Sequence, residues 1–405
     1  MKKKLETLNG GDPAERLETL KQIIRLEPVP RVRSEFSNNH IHSFFSFSPY
    51  SPTEAVYYAR KAGLPTAGIM DHDSIAGAKE FIRAGEIAGI ATTVGLECRV
   101  GVEGTPLEGK IVNNPDQASV VYITLHGVPH HRIDDLQELF QPYREKRNVR
   151  NRIMAERLSE LLGSLDLRLD FDRDVVPTSK YQEGGSITER HLLYALSLKM
   201  IEKIGKGPAL AAFIKNKLDM PLSSLQAKQL NDLENPYYEY DLLGMFKAGL
   251  IDKIFVPATD EVMHISELIK VSAEIGSLLA YPYLGDVTDS VTGDKKTQKF
   301  EDDYLDLLFE VLKEWNIDAF SYMPSRNTPD QIRRIQEKCR QYRFFEISGE
   351  DINSPRQPFI CRQLARPEFS HLTDSTWALI EYEKKASEGA AQKPVRKEQN
   401  KEYNK

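Results

Sequence analysis

The chain has few cysteines, no long apolar run and no surplus of positive charge, and each shortage removes a class of protein. Its three cysteines, Cys98, Cys339 and Cys361, are odd in number and far apart. They can form neither a disulfide framework nor a paired-cysteine zinc site, so a reducing compartment, the cytoplasm, is the expected location. The opening MKKKLETLNGGDPAERLETL has the basic start of an export signal without the apolar stretch behind it, and no later segment approaches bilayer-spanning length. Neither export nor membrane contact is expected. The formal net charge of -6 argues against a general nucleic-acid binder, because neutralising a phosphate backbone takes clustered lysine and arginine. A small anionic substrate, held by local positive charge, stays open. No solenoid-type repeat is visible, and no obligate protein partner is implied.

What is present is a globular composition: 405 residues, 40% hydrophobic and 28% charged, enough for one large core or two moderate ones. Residues 1–35 read as an N-terminal helical segment with a helix over 12–27, and 384–405 as a charged, disordered tail. Between them short apolar runs alternate with helical patterns, the mark of βα units and a parallel sheet. Ser51, Pro52 and Glu54 supply a cap, a first-turn proline and a capping-box acid, and Gly63 ends that helix before a strand over Thr66–Met70. A helix over Ile75–Ala88 leads to a strand over Ala91–Gly95, and another strand is expected over Val120–Leu125. Later strands fall at Leu278–Tyr281, Ala319–Tyr322 and Phe344–Ile347, with helices over Phe300–Trp315 and Pro329–Gln341, the second capped by Thr328. The rhythm breaks over 133–260, where helices over Asp134–Leu162, Ile187–Ile204 and Pro208–Leu230 suggest an insertion between barrel parts 36–132 and 261–383. An insertion at a barrel rim tends to cover the catalytic face.

Chemistry-bearing residues gather at the strand ends. In Asn39-His40-Ile41-His42-Ser43, alternation along a strand puts both imidazoles on one side, within reach of one ion. Asp71, His72 and Asp73 follow the strand Thr66–Met70, Glu97 follows the next, and His126 follows Val120–Leu125. Any one of these alone reads as an ordinary surface or core residue, and Asp71-His72-Asp73 as a helix-capping cluster. Four successive strands ending in metal-ligand types favour a metal site.

The run HIHSFFSFSPYSPTEAVYYARKAGLPTAGIMDHDSIAGAKEF resembles the N-terminal signature of the polymerase and histidinol phosphatase (PHP) superfamily. The likeness is specific over 38–97, resumes weakly at His126 and again at Ser348-Gly349-Glu350-Asp351-Ile352-Asn353. It implies an α/β fold, a distorted seven-stranded (β/α) barrel with a mostly helical insertion, which holds two or three divalent ions, commonly zinc, manganese or iron. It also implies a phosphoesterase that cleaves a nucleotide, sugar phosphate or nucleic-acid end with metal-activated water. The resemblance puts His40, His42, Glu97 and Asp351 around a first ion. A second would share Glu97 with His126, but Tyr281-Pro282 stands where a histidine before proline is expected. A third would use His72, with Ser48 and Asn353 in place of stronger ligands.

His72, or Asp71 or Asp73 beside it, is expected to orient a ligand or shuttle a proton, with structural support as the competing role. In Gly184-Gly185-Ser186-Ile187-Thr188-Glu189-Arg190-His191, Ser186 and Glu189 read as a capping box. Arg190 and His191 then fall in the first turn, where the resemblance places phosphate-binding residues. Arg326, beside the helix start after Thr328, is a further candidate for an anion. Two rivals remain. One is a catalytically decayed barrel acting as a metal- or phosphate-binding regulatory protein, motivated by Ser48, Tyr281 and Asn353. The other, a metal-dependent amidohydrolase, also opens with His-x-His but wants a carboxylated lysine where Glu97 stands.

Overall fold

The computed structural model describes residues 2–286, 301–390 and 393. Seven strands, β1 (Thr66–His72), β2 (Ala91–Gly101), β3 (Val120–His126), β4 (Met263–His264), β5 (Leu278–Pro282), β6 (Ala319–Tyr322) and β7 (Phe345–Ser348), form one curled sheet. Its order is β1-β2-β3-β5-β6-β7, with β4 beside the last residues of β2. The architecture is α/β, a distorted barrel with helices around and beyond it.

The sheet is mixed rather than parallel throughout. β3 runs antiparallel to both β2 and β5, which corrects the expectation of a parallel sheet. The cause is local. Residues 102–119, between β2 and β3, contain no helix to carry the chain back across the sheet, and a parallel neighbour needs such a crossover. The loop is instead tied across its base by Val102 N–H donating to Ser119 O.

A single residue closes the barrel. Ile41 makes parallel bridges to Ile69 of β1 and to Ile352, just past β7. Two glycines make room for this segment. A β-carbon on Gly68 would stand 2.8 Å from Asn39 Cα, and one on Gly349 would stand 2.7 Å from His40 Cβ.

The helices before and between the first strands are α1 (Lys2–Thr7), α2 (Pro13–Leu26), α3 (Pro52–Lys61) and α4 (Ala78–Ala88). Ser51 caps α3 through the Glu54 N–H. α5 (Ile133–Leu139), α6 (Gln141–Leu162), α7 (Glu189–Ile204), α8 (Pro208–Lys217), α9 (Ser224–Asn231) and α10 (Tyr238–Ile254) follow β3. Helices expected over 134–162 and 208–230 are each split. Pro142 opens a new helix in the first, and Asp219, with φ +52°, followed by Pro221 breaks the second. α7 is capped by Thr188 with His191, not by Ser186 with Glu189. α11 (Ile265–Ile275), α12 (Leu305–Glu314), α13 (Pro329–Tyr342) and α14 (Ser370–Ser387) complete the chain. Phe300, the expected start of α12, lies outside the described residues, as do 391–392 and 394–405 of the expected tail. Residues 384–387 are the last turn of α14, where Ala386 packs with Leu379 and Tyr382 on a small core. They are therefore ordered.

One large apolar core fills the sheet and its flanking helices, and a second lies among α6, α7, α8, α9 and α10. Phe47, from the loop after the His40–His42 segment, is buried in the second core. Among the described residues no helix is long and apolar enough to cross a membrane.

Candidate metal centre

Because Ile41 is the bridging residue, His40 and His42 on either side of it face the barrel interior together with His72 and, by register, Glu97. Ligand atoms of His40, His42 and Glu97 all lie within 4.8 Å of one another, a group that can hold a metal ion. Glu97 Oε2 is 3.6 Å from His40 Nε2, 3.9 Å from His42 Nε2 and 3.0 Å from His72 Nδ1. Asp351, flanking the other bridge residue Ile352, brings Oδ1 to 3.2 Å from His42 Nε2. It touches one member of the group rather than closing on all three.

The orientation of His42 is set from outside. Ser46 Oγ donates to Asp71 Oδ1 at 2.6 Å, so it accepts from His42 Nδ1 at 3.2 Å. That leaves the Nε2 lone pair aimed at Glu97 and Asp351, the tautomer a metal ligand needs. Asp71 also accepts from Ser43 N–H and Ser43 Oγ, at 2.7 and 2.6 Å.

Electrostatics within the cluster are mutual. Burial alone would raise Glu97, but the imidazoles of His40 and His72 outweigh it and hold the carboxyl low. Burial opposes protonation of His40, yet Glu97 and Asp351 raise it overall. Burial lowers His42, with the neighbouring Asp351 carboxylate working against it. For Asp351, burial is outweighed by the imidazoles of His42 and His40 and by nearby Arg190.

His126 stands beside this group. It pairs with Gly95 across β2 and β3, so it shares the face of Glu97. It is buried, and among the described residues neither Nδ1 nor Nε2 has a hydrogen-bond partner. Burial lowers its pKa to about 3. Two orphaned ring nitrogens next to a carboxylate cluster are what a ligand to a second ion leaves when no ion is present. The donor set therefore fits divalent metal: neutral imidazole and carboxylate, with a supporting chain behind one histidine.

Several expected site residues have other work. Asp71 is buried and spent on Ser43 and Ser46, and Asp73 is buried in an ion pair with Arg147. Both carboxylates are taken up by these protein partners, which favours the competing role of structural support. Asn353 gives its amide N–H to Asp351 Oδ1 at 2.6 Å, so it steadies a carboxylate instead of serving as a ligand. His191 is 1% exposed, packs edge-on against Phe47 and accepts the Thr188 N–H, which corrects its expected role at a substrate phosphate. Arg326 turns its Nε to Leu284 O, and the α13 start is capped by Thr328 and Gln331. Tyr281 donates its hydroxyl to Glu301. Ser48 is buried with an unpartnered Oγ. Arg190, by contrast, is half-buried, acts on Asp351 electrostatically and makes no hydrogen bond or ion pair among the described residues.

Residues 38–204 match the model of the PHP domain family. The chain carries a PHP domain. A stretch of 79 residues is 37% identical to an error-prone DNA polymerase of Nocardia farcinica (strain IFM 10152), spanning 19% of this chain and 7% of the polymerase. The fold is shared with a crystal structure named as a metal-dependent phosphoesterase from Bifidobacterium adolescentis, at TM-score 0.53 and 20% identity. An amidohydrolase from Chromobacterium violaceum, solved with bound sulfate and no metal, is similar at TM-score 0.51 and 14% identity. Both alignments cover 84% of this chain and 96% of the other.

Sequence reasoning missed two groups in the PHP domain. Ser43 and Ser46 orient His42 through Asp71, and their only signal was their position just after the histidine pair. Arg147 and Arg150 of α6 form a buried ionic cluster with Asp73, Glu189, Glu261 and Arg99 of β2. The spacing of Arg144, Arg147, Arg150 and Asn151 marks one helix face, and all four are buried.

Proposed function

We propose that this PHP domain is a metal-dependent phosphoesterase acting on a small phosphorylated substrate or a nucleic-acid end, in the cytoplasm. The observation that carries this reading is the convergence of His40, His42 and Glu97, with Asp351 in contact and His126 beside them holding two unpartnered nitrogens. A divalent ion held there, zinc, manganese or iron, would polarise a phosphoryl oxygen and lower the pKa of water. His40, His42, Glu97 and Asp351 would hold the first ion, and Glu97 with His126 a second.

The chain's own residues supply the rest. The pairing of Ser46 with Asp71 keeps His42 in the tautomer that presents Nε2. His72, a quarter exposed, is placed to orient a ligand or carry a proton at the ring nitrogen opposite Glu97. Arg190, without a partner yet close enough to act on Asp351, suits a phosphoryl group through its two parallel N–H bonds. The helices over 133–260 would form the cap that excludes water. Ser186 Oγ donates to His72 O, and Arg144 donates to Asp73 O, fastening that region to the end of β1.

The test is metal analysis of protein purified without chelator, then a screen of phosphomonoesters and phosphodiesters with added manganese, zinc or iron. Turnover that disappears with chelator and returns with metal is expected. Stoichiometric metal without turnover of any phosphate ester would instead support a second reading, a decayed barrel that binds metal or phosphate as a regulator. Tyr281 favours that alternative, since its hydroxyl is committed to Glu301 where the second ion would want an imidazole.

A further inference from the structure

A cleft of about 530 Å³ opens where α3, the start of α10 and the loop after β7 meet. Its walls are aromatic: Tyr50, Tyr58, Tyr237, Tyr240 and Phe359 all line it. Three of these rings already pack on one another, Tyr50 with Tyr58 at 5.3 Å between centroids and with Phe359 at 5.4 Å. Glu54 also lines the cleft, at 9% exposure.

Glu54 is unusual among the buried acids. Its backbone N–H completes the Ser51 cap, but its carboxylate has no hydrogen-bond donor and no ion pair among the described residues. Glu80, for comparison, is held by Arg16 and Thr53. An unpaired buried carboxylate is costly and is normally matched by a cation or a donor. Lys61, at the rim, does not fill that role. Its ammonium lies over the Tyr57 and Tyr58 rings at 5.6 and 5.9 Å. The site thus offers one buried carboxyl, which a bound cation would hold in its charged form, and a ring of π faces, two of which cations already occupy, Lys61 over Tyr58 and Arg356 over Tyr237.

We propose that this cleft binds a small organic cation, an alkylated ammonium group whose charge pairs with Glu54 and whose methyl groups lie against the tyrosine and phenylalanine rings. The chemistry selects alkylated over primary ammonium. Three N–H donors would need three acceptors, whereas a quaternary nitrogen needs only negative charge and aromatic faces. A neutral aromatic ligand would leave Glu54 unmatched. The site is built from α3, α10 and the segment 355–359, and it is separate from the metal ligands, so it does not depend on the phosphoesterase reading.

The experiment is calorimetric titration of the full chain with choline, with its uncharged isostere 3,3-dimethyl-1-butanol, and with ethanolamine as the primary ammonium. Choline should bind about tenfold or more tighter than either, the scale of a desolvated cation–π site. Glu54→Gln should weaken choline by about tenfold and leave metal content and thermal midpoint undiminished, because it removes the group that can charge against the ligand without changing shape. Equal binding of choline and the neutral isostere would overturn the proposal, as would no binding of choline or an unchanged affinity in Glu54→Gln. The comparison of the three ligands on the unaltered protein decides the matter even if the variant folds poorly.

Discussion

Two clusters of ionisable side chains lie on neighbouring parts of the same barrel, and they differ in what they leave unmet. In the junction between β2 and the helices after β3, Arg99, Arg147 and Arg150 face Asp73, Glu189 and Glu261, three charges against three, and every guanidinium reaches a carboxylate. In the barrel mouth, His126 keeps both ring nitrogens without partners among the described residues, and Arg190 faces the Asp351 field with no ion pair among them. Balanced charge marks the first cluster as architecture. Unspent lone pairs and an unspent guanidinium mark the second as a place for something that comes from solution.

The largest effect should come from the metal cluster. His42→Ala should lose bound metal and phosphoesterase activity together while the fold survives, read by elemental analysis beside circular dichroism. Equal metal in variant and parent would break the contrast. The junction should respond the opposite way. Glu261→Ala takes the close carboxylate from Arg99 and leaves Arg99 and Arg150 to share Glu189, and should cost about 3 kcal/mol in denaturant unfolding, with metal per folded molecule unchanged. Between them sits the support of His42. Asp71→Asn should weaken metal affinity about 10–100-fold, the range for groups that orient a ligand, and a competitive chelator titration measures it. Arg190→Ala should remove about 2 kcal/mol of substrate binding, roughly thirtyfold in KM, and leave both metal content and stability untouched.

A further effect is one of pH. Burial lifts the Glu54 carboxyl from 4.5 to about 8. Its folded value exceeds its unfolded one, so its contribution to stability is fully present below about 4.5 and is lost as pH rises towards 8. The titratable groups around it are Tyr50, Tyr58, Tyr237, Tyr240 and Lys61. Glu54→Gln should flatten the thermal-midpoint profile across that window, relative to the parent protein. An unchanged profile would remove Glu54 from the account.

Much of the barrel was legible because its signals are local. β6 falls at its expected residues, and α3 and α13 start at the Ser51 and Thr328 caps that the sequence displays. His40 and His42 were readable for the same reason, since alternation about Ile41 needs only neighbours. What was not legible depends on distant partners. The antiparallel course of β3 follows from what the 102–119 loop lacks, and α10 and α11 begin after Tyr237 and His264, neither of which reads as a helix cap in the sequence. Asp71 and Asp73 illustrate the limit at the site. Their position beside His72 is correct, but only the fold reveals that Ser43, Ser46 and Arg147 already claim them. His191 was misread for a similar reason, because a first-turn imidazole can cap its own helix as readily as greet a ligand.

The closure through Ile41 has a bearing on how the molecule comes into being. Asp351 and the bridge residue Ile352 arrive from the ribosome long after His40 and His42. Until β7 docks, the nascent chain can display two histidines and a glutamate but not the carboxylate that reaches His42. With Asp351 as a fourth ligand, the full set would be complete only at the end of assembly, and an ion bound there would act as a clasp, drawing the earliest and latest parts of the barrel together.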